Sequence, residues 1–269
     1  MTAADIATPS RAGLQKSAFY LWTAVAMAVV AVAGFAPTFW IPLAEGVPER
    51  FPLFAIHGAL CYGWIGLVIY QAWLARSGHV ARHRDLGLAG VSLATALVLF
   101  GTMTSVSSVR RTMAAGHIGA NEAFLIVPMG ELICFTGFVI AALVNVRRSE
   151  WHKRFMIAAT GAILPAPVAR LFIVFVLMGG HLPPWNGTVG LAGLPAAPPP
   201  LVSEGLMPDL IATEVFILAG MVHDWRRRGG VHPAWWWAGG LNLAFQLLKA
   251  PFSDTALWHV MARGLIQVF

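Results

Sequence analysis

Long apolar stretches separated by short polar segments make up most of this chain. Each stretch approaches the roughly 20 apolar residues that an α-helix needs to cross a bilayer. The pattern predicts an all-α fold, a transmembrane bundle of about seven helices. The predicted spans are residues 18–36, 53–74, 86–106, 123–144, 155–178, 206–222 and 234–248. The predicted domains are an N-terminal tail (1–17), the transmembrane domain (18–252) and a C-terminal helix (253–269).

The C-terminal helix is predicted from a change of pattern after the last span. Ser253 can cap its N-terminus. Leu257, Val260, Met261 and Leu265 then recur at helical spacing. A helix with one apolar face is typical of segments that lie along a membrane surface, so this helix is predicted to be interfacial.

Composition narrows the class of protein to one whose main partner is a lipid bilayer. The 269 residues are 58% hydrophobic and only 11% charged, whereas a soluble domain carries roughly 25% charged residues. The net charge of +6 raises the question of nucleic acid. The basic residues lie in short segments between apolar stretches, however, which indicates a topology signal, and no nucleic-acid partner is expected.

The distribution of these basic residues predicts the orientation. They gather in four segments that fall on one side of a seven-helix arrangement, and the positive-inside rule makes that side cytoplasmic. The N-terminus is then inside, the C-terminus is outside, and residues 179–205 form an outer loop. The expected location is a bacterial-type inner membrane. The residues that carry the signal are Arg11, Lys16, Arg76, Arg82, Arg84, Arg147, Arg148, Lys153, Arg154, Arg226, Arg227 and Arg228.

Five ionisable residues fall within or at the end of predicted spans, and the topology places all five in the outer half of the bilayer. Such groups are rare in hydrocarbon unless they face a cavity or find partners. Prolines beside three of them free helix carbonyls, which favours a cavity over a sealed core. The prediction is an outward-facing polar cavity that binds a small molecule, as in a transporter. Its residues are His57, Glu131, Arg170, Glu214 and Lys249.

Within this cavity Arg170 is expected to pair with Glu131 or Glu214. A guanidinium stays charged under ordinary conditions and its planar fork suits a carboxylate. Asp209 is expected nearer the surface. The alternative for the whole set is a group of buried ion pairs that only hold the helices together.

Two cysteines suggest a weaker alternative, a metal site. Cys61 lies one helical turn from His57, and Cys134 follows Glu131 by three residues. Histidine, cysteine and glutamate are ligands of borderline metals such as zinc. The competing interpretation is that both cysteines are small core residues, which is how free cysteine usually behaves.

Four short motifs carry a resemblance to a known family. They are His57-Gly58, the His-Arg-x-Leu-Gly stretch that starts at His83, the His-Lys-Arg-x-Met stretch that starts at His152, and Ala169-Arg170-Leu171. In order and spacing, over residues 51–172, they resemble an uncharacterised family of predicted bacterial polytopic membrane proteins. The resemblance implies no activity. The positions that it marks are His57, His83, Arg84, His152, Arg154 and Arg170.

The chain is also loosely similar to cytochromes of the b561 type, which hold haem between histidines of neighbouring helices. This similarity implies one b-type haem between His83 and His152. Helix four offers Glu131 where a second haem would need a histidine. Three functions therefore stay open: a small-molecule binding or transporter-like protein, a haem-binding redox protein, and a non-catalytic assembly or scaffold protein. Motifs of soluble enzymes are absent, and no catalytic residue is assigned.

Overall fold

The computed structural model describes residues 18–46, 52–114, 122–172, 174–175, 202 and 206–269. Within these residues the fold is all-α, with no β-strand, which confirms the predicted class. The predicted tail and nearly all of the predicted outer loop lie outside the described residues. The helices of the described part are α1 (Phe19–Ala44), α2 (Pro52–Ser77), α3 (Val80–Ala114), α4 (Ile126–Val144), α5 (Ser149–Ala162), α6 (Pro165–Phe172), α7 (Leu206–Arg228), α8 (Pro233–Ser253) and α9 (Ala256–Val268).

Four helices of the described residues are long and apolar enough to cross a membrane. They are α1, α2, α3 and α4 extended back to Glu122. A fifth span is present if α5 and α6, which meet at a bend of 43°, count as one. The bend falls before Pro165, because a proline lacks the backbone N–H of a helix interior and disfavours helix in the residue before it. Helices α7 and α8 carry charged and amide side chains along their length and are not among the helices that are apolar enough to cross a membrane.

Large apolar side chains lie on the outside of the bundle, as expected for a protein solvated by lipid. Trp22, Ile133, Ile140 and Leu218 are each more than half exposed. Large apolar side chains exposed on so many helices are unusual on a soluble monomer. The chain is thus a multi-pass helical protein of membrane type.

Close helix crossings depend on small residues. A Cβ atom on Gly34 of α1 would overlap Pro167 of α6, and one on Gly220 of α7 would overlap the ring of Trp235 in α8. Small residues let helix backbones approach where the surrounding lipid offers no hydrophobic drive. At the α1–α6 crossing, Pro167 lies close to α1.

The C-terminal helix begins later than predicted. Ser253 is the last residue of α8, and its hydroxyl donates to the carbonyl of Ala250 at 2.7 Å. Thr255 caps α9 instead, since its hydroxyl accepts from the backbone N–H of Trp258 at 3.2 Å. The prediction failed because Pro251 does not end α8. The predicted apolar face is also corrected, since Leu265 packs against the core.

Side-chain contacts group the helix termini into two ends of the bundle. The first, here called the basic end, joins the start of α5 to the end of α7 through Arg154 and Asp224, and to the start of α3 through His152 and His83. The other, here called the opposite end, joins the end of α8 to the start of α7 through Lys249 and Asp209. Helix α9 also belongs to the opposite end, because it contacts the residues that precede α4.

Candidate functional site

A central polar cluster occupies the half of the bundle toward the opposite end. It contains four of the five predicted cavity residues, and one acid that was not predicted. Glu131 of α4 lies within electrostatic range of Asp209, Lys249 and Arg170, and His57 of α2 lies within range of Arg170. The central polar cluster is defined as His57, Glu131, Arg170, Asp209 and Lys249.

The fifth predicted residue, Glu214, does not join this cluster through any contact among the described residues. Its carboxylate accepts a hydrogen bond from the side-chain amide of Asn242 at 2.9 Å. This bond links α7 to α8 and satisfies one of the carboxylate oxygens. Glu214 is best understood as part of the α7–α8 contact.

Lys249 forms an ion pair with an acid that was not predicted to belong to the site. Its ammonium donates to the carboxylate of Asp209, and the two residues are 1% and 4% exposed. Asp209 had been expected nearer the membrane surface than the other acids, and the structure shows it buried in direct contact with Lys249. A lysine buried at the end of α8 needs a partner of opposite charge. The start of α7, antiparallel to α8, supplies one.

Arg170 does not form the ion pair predicted for it. No acid of the described residues lies within the 4.0 Å of an ion pair with its guanidinium, so the predicted bond to Glu131 or Glu214 is wrong. The guanidinium instead lies over the ring of Phe35, 4.6 Å from its centroid, and Nη1 donates to the carbonyl of Ala166 at 2.7 Å. The Nε atom is buried and has no partner among the described residues.

The α1–α6 crossing explains this arrangement. Gly34 lets Pro167 approach α1 closely. The residue one turn further along α6 is Arg170, which then reaches Phe35 rather than α4. Glu131 is still the charged group that interacts most strongly with Arg170, but the two side chains are further apart than the partners of an ion pair.

His57 is held on one side only. Its Nε2 atom lies 3.5 Å from the sulfur of Cys61, whereas Nδ1 is buried without a partner among the described residues. Gly101 of α3 lies beside this ring, since an added Cβ would be in van der Waals contact with His57 Cε1, at 3.4 Å. Two unpartnered polar atoms, on Arg170 and His57, thus belong to the same cluster.

Tyr62 stands beside the cluster. Its hydroxyl donates toward the carbonyl of Ala31 at 3.4 Å and accepts from Trp40 Nε1 at 3.1 Å. Its hydroxyl is also within electrostatic range of Arg170. With Phe35, this ring lines the Arg170 side of the cluster with aromatic surface.

The alternative metal site is not assembled in the part of the chain that the structure describes. No group of three or more histidine, cysteine, aspartate or glutamate side chains there could hold a metal ion. Cys61 is close to His57 and Cys134 is within range of Glu131, but the predicted set of His57, Cys61, Glu131 and Cys134 does not converge on one point.

His83 and His152 do lie side by side at the basic end. Their ring centroids are 6.2 Å apart and the ring planes are nearly perpendicular, at 89°. His152 Nδ1 bonds the carbonyl of Ala142 at 2.9 Å, so its Nε2 carries the free lone pair. His83 Nδ1 is buried without a partner among the described residues. Each ring therefore keeps a nitrogen that could act as a ligand.

A buried salt bridge at the basic end was missed by sequence reasoning. Arg154 and Asp224 are both fully buried, and the guanidinium donates to both carboxylate oxygens, at 2.8 Å and 2.6 Å. Arg154 Nη1 also donates to the carbonyl and the carboxylate of Glu150. Arg154 had counted as a topology signal and as a position marked by the resemblance, but not as part of an ion pair. An available clue was Asp224, an acid two residues before three consecutive arginines.

Other groups surround this salt bridge. Glu150 also accepts from Lys153 at 2.5 Å and contacts Arg228. Lys153 Nζ lies 4.7 Å from the ring centroid of Tyr20 at the start of α1. The basic-end network, defined as Glu150, Lys153, Arg154, Asp224 and Arg228, therefore pairs each of its charges.

His232 caps α8 next to the same network. Its Nδ1 accepts from the backbone N–H of Ala234 at 3.1 Å, and its own backbone N–H donates to Asp224 at 3.4 Å. Burial, helped by the nearby guanidinium of Arg154, lowers the pKa of His232 below its ordinary value. The neutral ring is also the form that the cap requires, because a protonated ring has no acceptor.

Helix α9 is attached to the bundle by a third set of contacts. Glu122, which is 5% exposed, accepts from His259 Nδ1 at 2.8 Å and from Arg263 at 3.3 Å. Trp258 Nε1 donates to the backbone carbonyl of Glu122 at 2.8 Å. Arg110 of α3 donates to the carbonyl of Ile266 at 2.9 Å. These contacts hold α9 against the ends of α3 and α4.

Comparison with protein-family models, with curated proteins and with solved structures found no match to this chain. The resemblance of its four motifs to polytopic membrane proteins therefore stays a prediction.

Proposed function

We propose that this protein is a multi-pass inner-membrane protein that binds a small molecule, as a transporter does, in the central polar cluster. In this proposal α7, α8 and the bent pair α5–α6 join the four apolar helices as spans, seven in total. The basic end faces the cytoplasm, as the positive-inside rule favours. The cluster then opens toward the outside.

The observation that carries the proposal is the contrast between the two polar regions of the bundle. The basic-end network pairs each of its charges, as a structural set of ion pairs should. The central polar cluster leaves Arg170 Nε and His57 Nδ1 buried and unpartnered among the described residues. Unsatisfied buried groups of this kind are rare unless a water, an ion or a ligand completes them. A ligand bound in the cluster would satisfy both groups at once.

The roles within the site follow from the chemistry of the groups. Asp209 and Lys249 neutralise each other. Arg170 supplies a permanent positive charge, and its long-range partner Glu131 can accept a proton. His57 can also exchange protons. A positive charge beside two proton acceptors is suited to bind an anion together with a proton.

Access to the cluster from outside can be tested with introduced cysteines. The chain has two cysteines, so Cys61→Ser and Cys134→Ser give a cysteine-free background. His57→Cys in that background should react with a membrane-impermeant methanethiosulfonate added outside intact cells. Ile133→Cys, on the same helix as Glu131 but 71% exposed on the lipid side, should stay unreactive, because a thiol in hydrocarbon does not ionise.

A cysteine at Arg226 gives the control for sidedness. Arg226→Cys should react only when the reagent reaches the cytoplasmic side, in inverted vesicles. If His57→Cys reacts from neither side while Arg226→Cys behaves as expected, the cluster is sealed, and the assembly or scaffold function replaces the one proposed.

A second candidate function, a b-type haem redox protein, is favoured by one observation. The rings of His83 and His152 lie 6.2 Å apart between centroids, so both could reach one iron between them. The test is the absorption spectrum of the purified protein. A Soret band that His83→Ala removes and His79→Ala preserves would support haem. His79, at the same end of the bundle, bonds Ser77 and serves as the matched histidine.

A further inference from the structure

The proposed function leaves the class of ligand open, and the surroundings of Arg170 narrow it. We infer that Arg170 and His57 form an oxyanion-binding site, which takes a small organic carboxylate or a phosphate. This inference rests on the proposed function, because it assigns the ligand chemistry of the same cluster.

The donor geometry of Arg170 is the first reason. Nη1 is used by the carbonyl of Ala166, at 2.7 Å. The other edge of the guanidinium, formed by Nε and Nη2, has no acceptor among the described residues, and Nε is buried. This edge carries two parallel N–H donors, which is the arrangement that binds both oxygens of a carboxylate or phosphate. In the described part of the chain, the Nε–Nη2 edge of Arg170 is therefore a bidentate donor that no carboxylate occupies.

The position of the ring of Phe35 is the second reason. It lies 4.6 Å from the guanidinium carbon of Arg170, which sits over the ring in a cation–π contact. Such a contact attracts the guanidinium without using its N–H donors. Arg170 is thus oriented without any carboxylate partner, which a purely structural arginine in a membrane protein would be expected to have.

His57 supplies the third reason. When the thiol of Cys61 donates to Nε2 across their 3.5 Å separation, the ring proton is on Nδ1. Nδ1 is buried and has no partner among the described residues. It then offers one more donor near the positive charge of Arg170, which suits an anion and does not suit a cation.

The charges of the cluster agree with an anion. Lys249 is paired with Asp209, so this pair contributes no net charge. Glu131 is within range of Arg170 but forms no ion pair with it. A bound oxyanion would give the guanidinium its direct partner and leave Glu131 as the group that takes a proton. A cation in the same place would lie against Arg170 and would be repelled.

Binding can be measured on the full-length protein purified in detergent. The probes are sodium benzoate and sodium phosphate at constant ionic strength, with sodium chloride as the reference, and the readout is the thermal unfolding midpoint. At least one oxyanion should raise the midpoint saturably. Arg170→Lys should weaken that binding about tenfold or more, because an ammonium lacks the two parallel donors. Arg111→Gln should leave it unchanged, although Arg111 also lies over a ring, that of Phe54.

A second measurement needs no arginine variant and protects against a variant that fails to fold. In a Cys134→Ser background, the remaining Cys61 lies beside His57 and reports on the site. Benzoate or phosphate should slow its alkylation by N-ethylmaleimide, whereas chloride should not.

The source of the oxyanion is distinguished with lipid nanodiscs. If phosphatidylglycerol nanodiscs protect Cys61 relative to phosphatidylcholine nanodiscs and the free anions do not, the ligand is a lipid headgroup phosphate. If no oxyanion shifts the midpoint or protects Cys61 in any of these arms, the inference is overturned. The proposed function would then still stand if His57→Cys reacts from outside, since that result depends on access and not on anion chemistry.

Discussion

Arg154 and Arg170, two arginines of this chain, stabilise their charges in different ways. Arg154 is fully buried, and two of its nitrogens donate to the two carboxylate oxygens of Asp224. This is the pairing expected of an arginine in an apolar interior. Arg170 lies on an aromatic ring and keeps its fork free. The same residue type therefore serves structure at the basic end, and in our proposal binds a ligand in the central polar cluster.

The Arg154–Asp224 salt bridge allows a first prediction at this scale. Arg154→Leu should destabilise the protein by roughly 3–5 kcal/mol, because it leaves the carboxylate of Asp224 buried and unpaired. Arg154→Leu combined with Asp224→Leu should recover most of that loss, since no buried charge is left. The measurement is the thermal midpoint in detergent together with the recovered monodisperse fraction.

Arg147→Leu is the control for the first prediction, because Arg147 is an exposed arginine of the same basic segment. It should change the midpoint little. If the double variant is as unstable as the single one, the salt bridge is not what Arg154 contributes.

A second prediction concerns pH and His232. Its folded-state pKa lies below the ordinary 6.5, so below pH 6.5 the unfolded chain takes up the proton before the folded one. Stability is therefore lost as pH falls below 6.5. The protonated ring also loses the cap to Ala234, a bond worth about 1 kcal/mol. His232→Asn keeps a capping acceptor and does not titrate, so its thermal midpoint should fall less between about pH 7 and about pH 5.5.

The reference for this second prediction is the wild-type protein, because other groups titrate in both proteins. A midpoint that falls equally in both would show that His232 does not contribute to the pH dependence.

At the scale of the helices, the crossing of α1 and α6 decides which groups form the site. Proline breaks the helical path before Pro165 and the resulting bend turns α6 toward α1. Gly34 then lets Pro167 approach, and Arg170 comes to lie over Phe35.

The third prediction tests this crossing. Gly34→Ala should destabilise the protein by about 1–3 kcal/mol, because a Cβ there overlaps the rigid ring and backbone of Pro167. It should also weaken oxyanion binding, since α6 carries Arg170. Gly66→Ala is the matched control, because an added Cβ at Gly66 meets nothing within 4 Å. Equal midpoints for the two variants would show that α6 adjusts without cost.

At the scale of the whole molecule, α9 defines the side on which the chain ends. Its bonds to Glu122 and Arg110 attach it to the opposite end of the bundle, away from the basic-end network. The positive-inside rule, which reads only the charges, puts the C-terminus on the side opposite the basic residues. The contacts and the charge distribution agree on this point.

The fourth prediction is the resulting topology. A green fluorescent protein fused after Gly230 should fluoresce, because that site lies at the basic end, which the proposed topology places in the cytoplasm. Alkaline phosphatase fused at residue 190 or after Phe269 should be active outside. Activity of the phosphatase at Gly230 would invert the orientation and place the central polar cluster on the cytoplasmic side.

The sequence by itself determined the class of the molecule and the neighbourhood of its polar residues. Apolar stretches of about 20 residues have few structures open to them other than membrane helices, because backbone groups in lipid must be satisfied within the helix. Depth along each helix follows from a fixed rise per residue. That is why His57, Glu131, Arg170 and Lys249 could be expected in one region from position alone.

Only the tertiary structure decided which of these groups bond to one another. Depth says nothing about the direction a side chain takes around the helix, and a proline bend resets that direction. Lys249 therefore pairs with Asp209 rather than a glutamate, and Arg170 faces Phe35 rather than Glu131. The Arg154–Asp224 bond joins residues 70 positions apart. These two residues meet only because α5 packs against α7, and the sequence does not show which helices pack together.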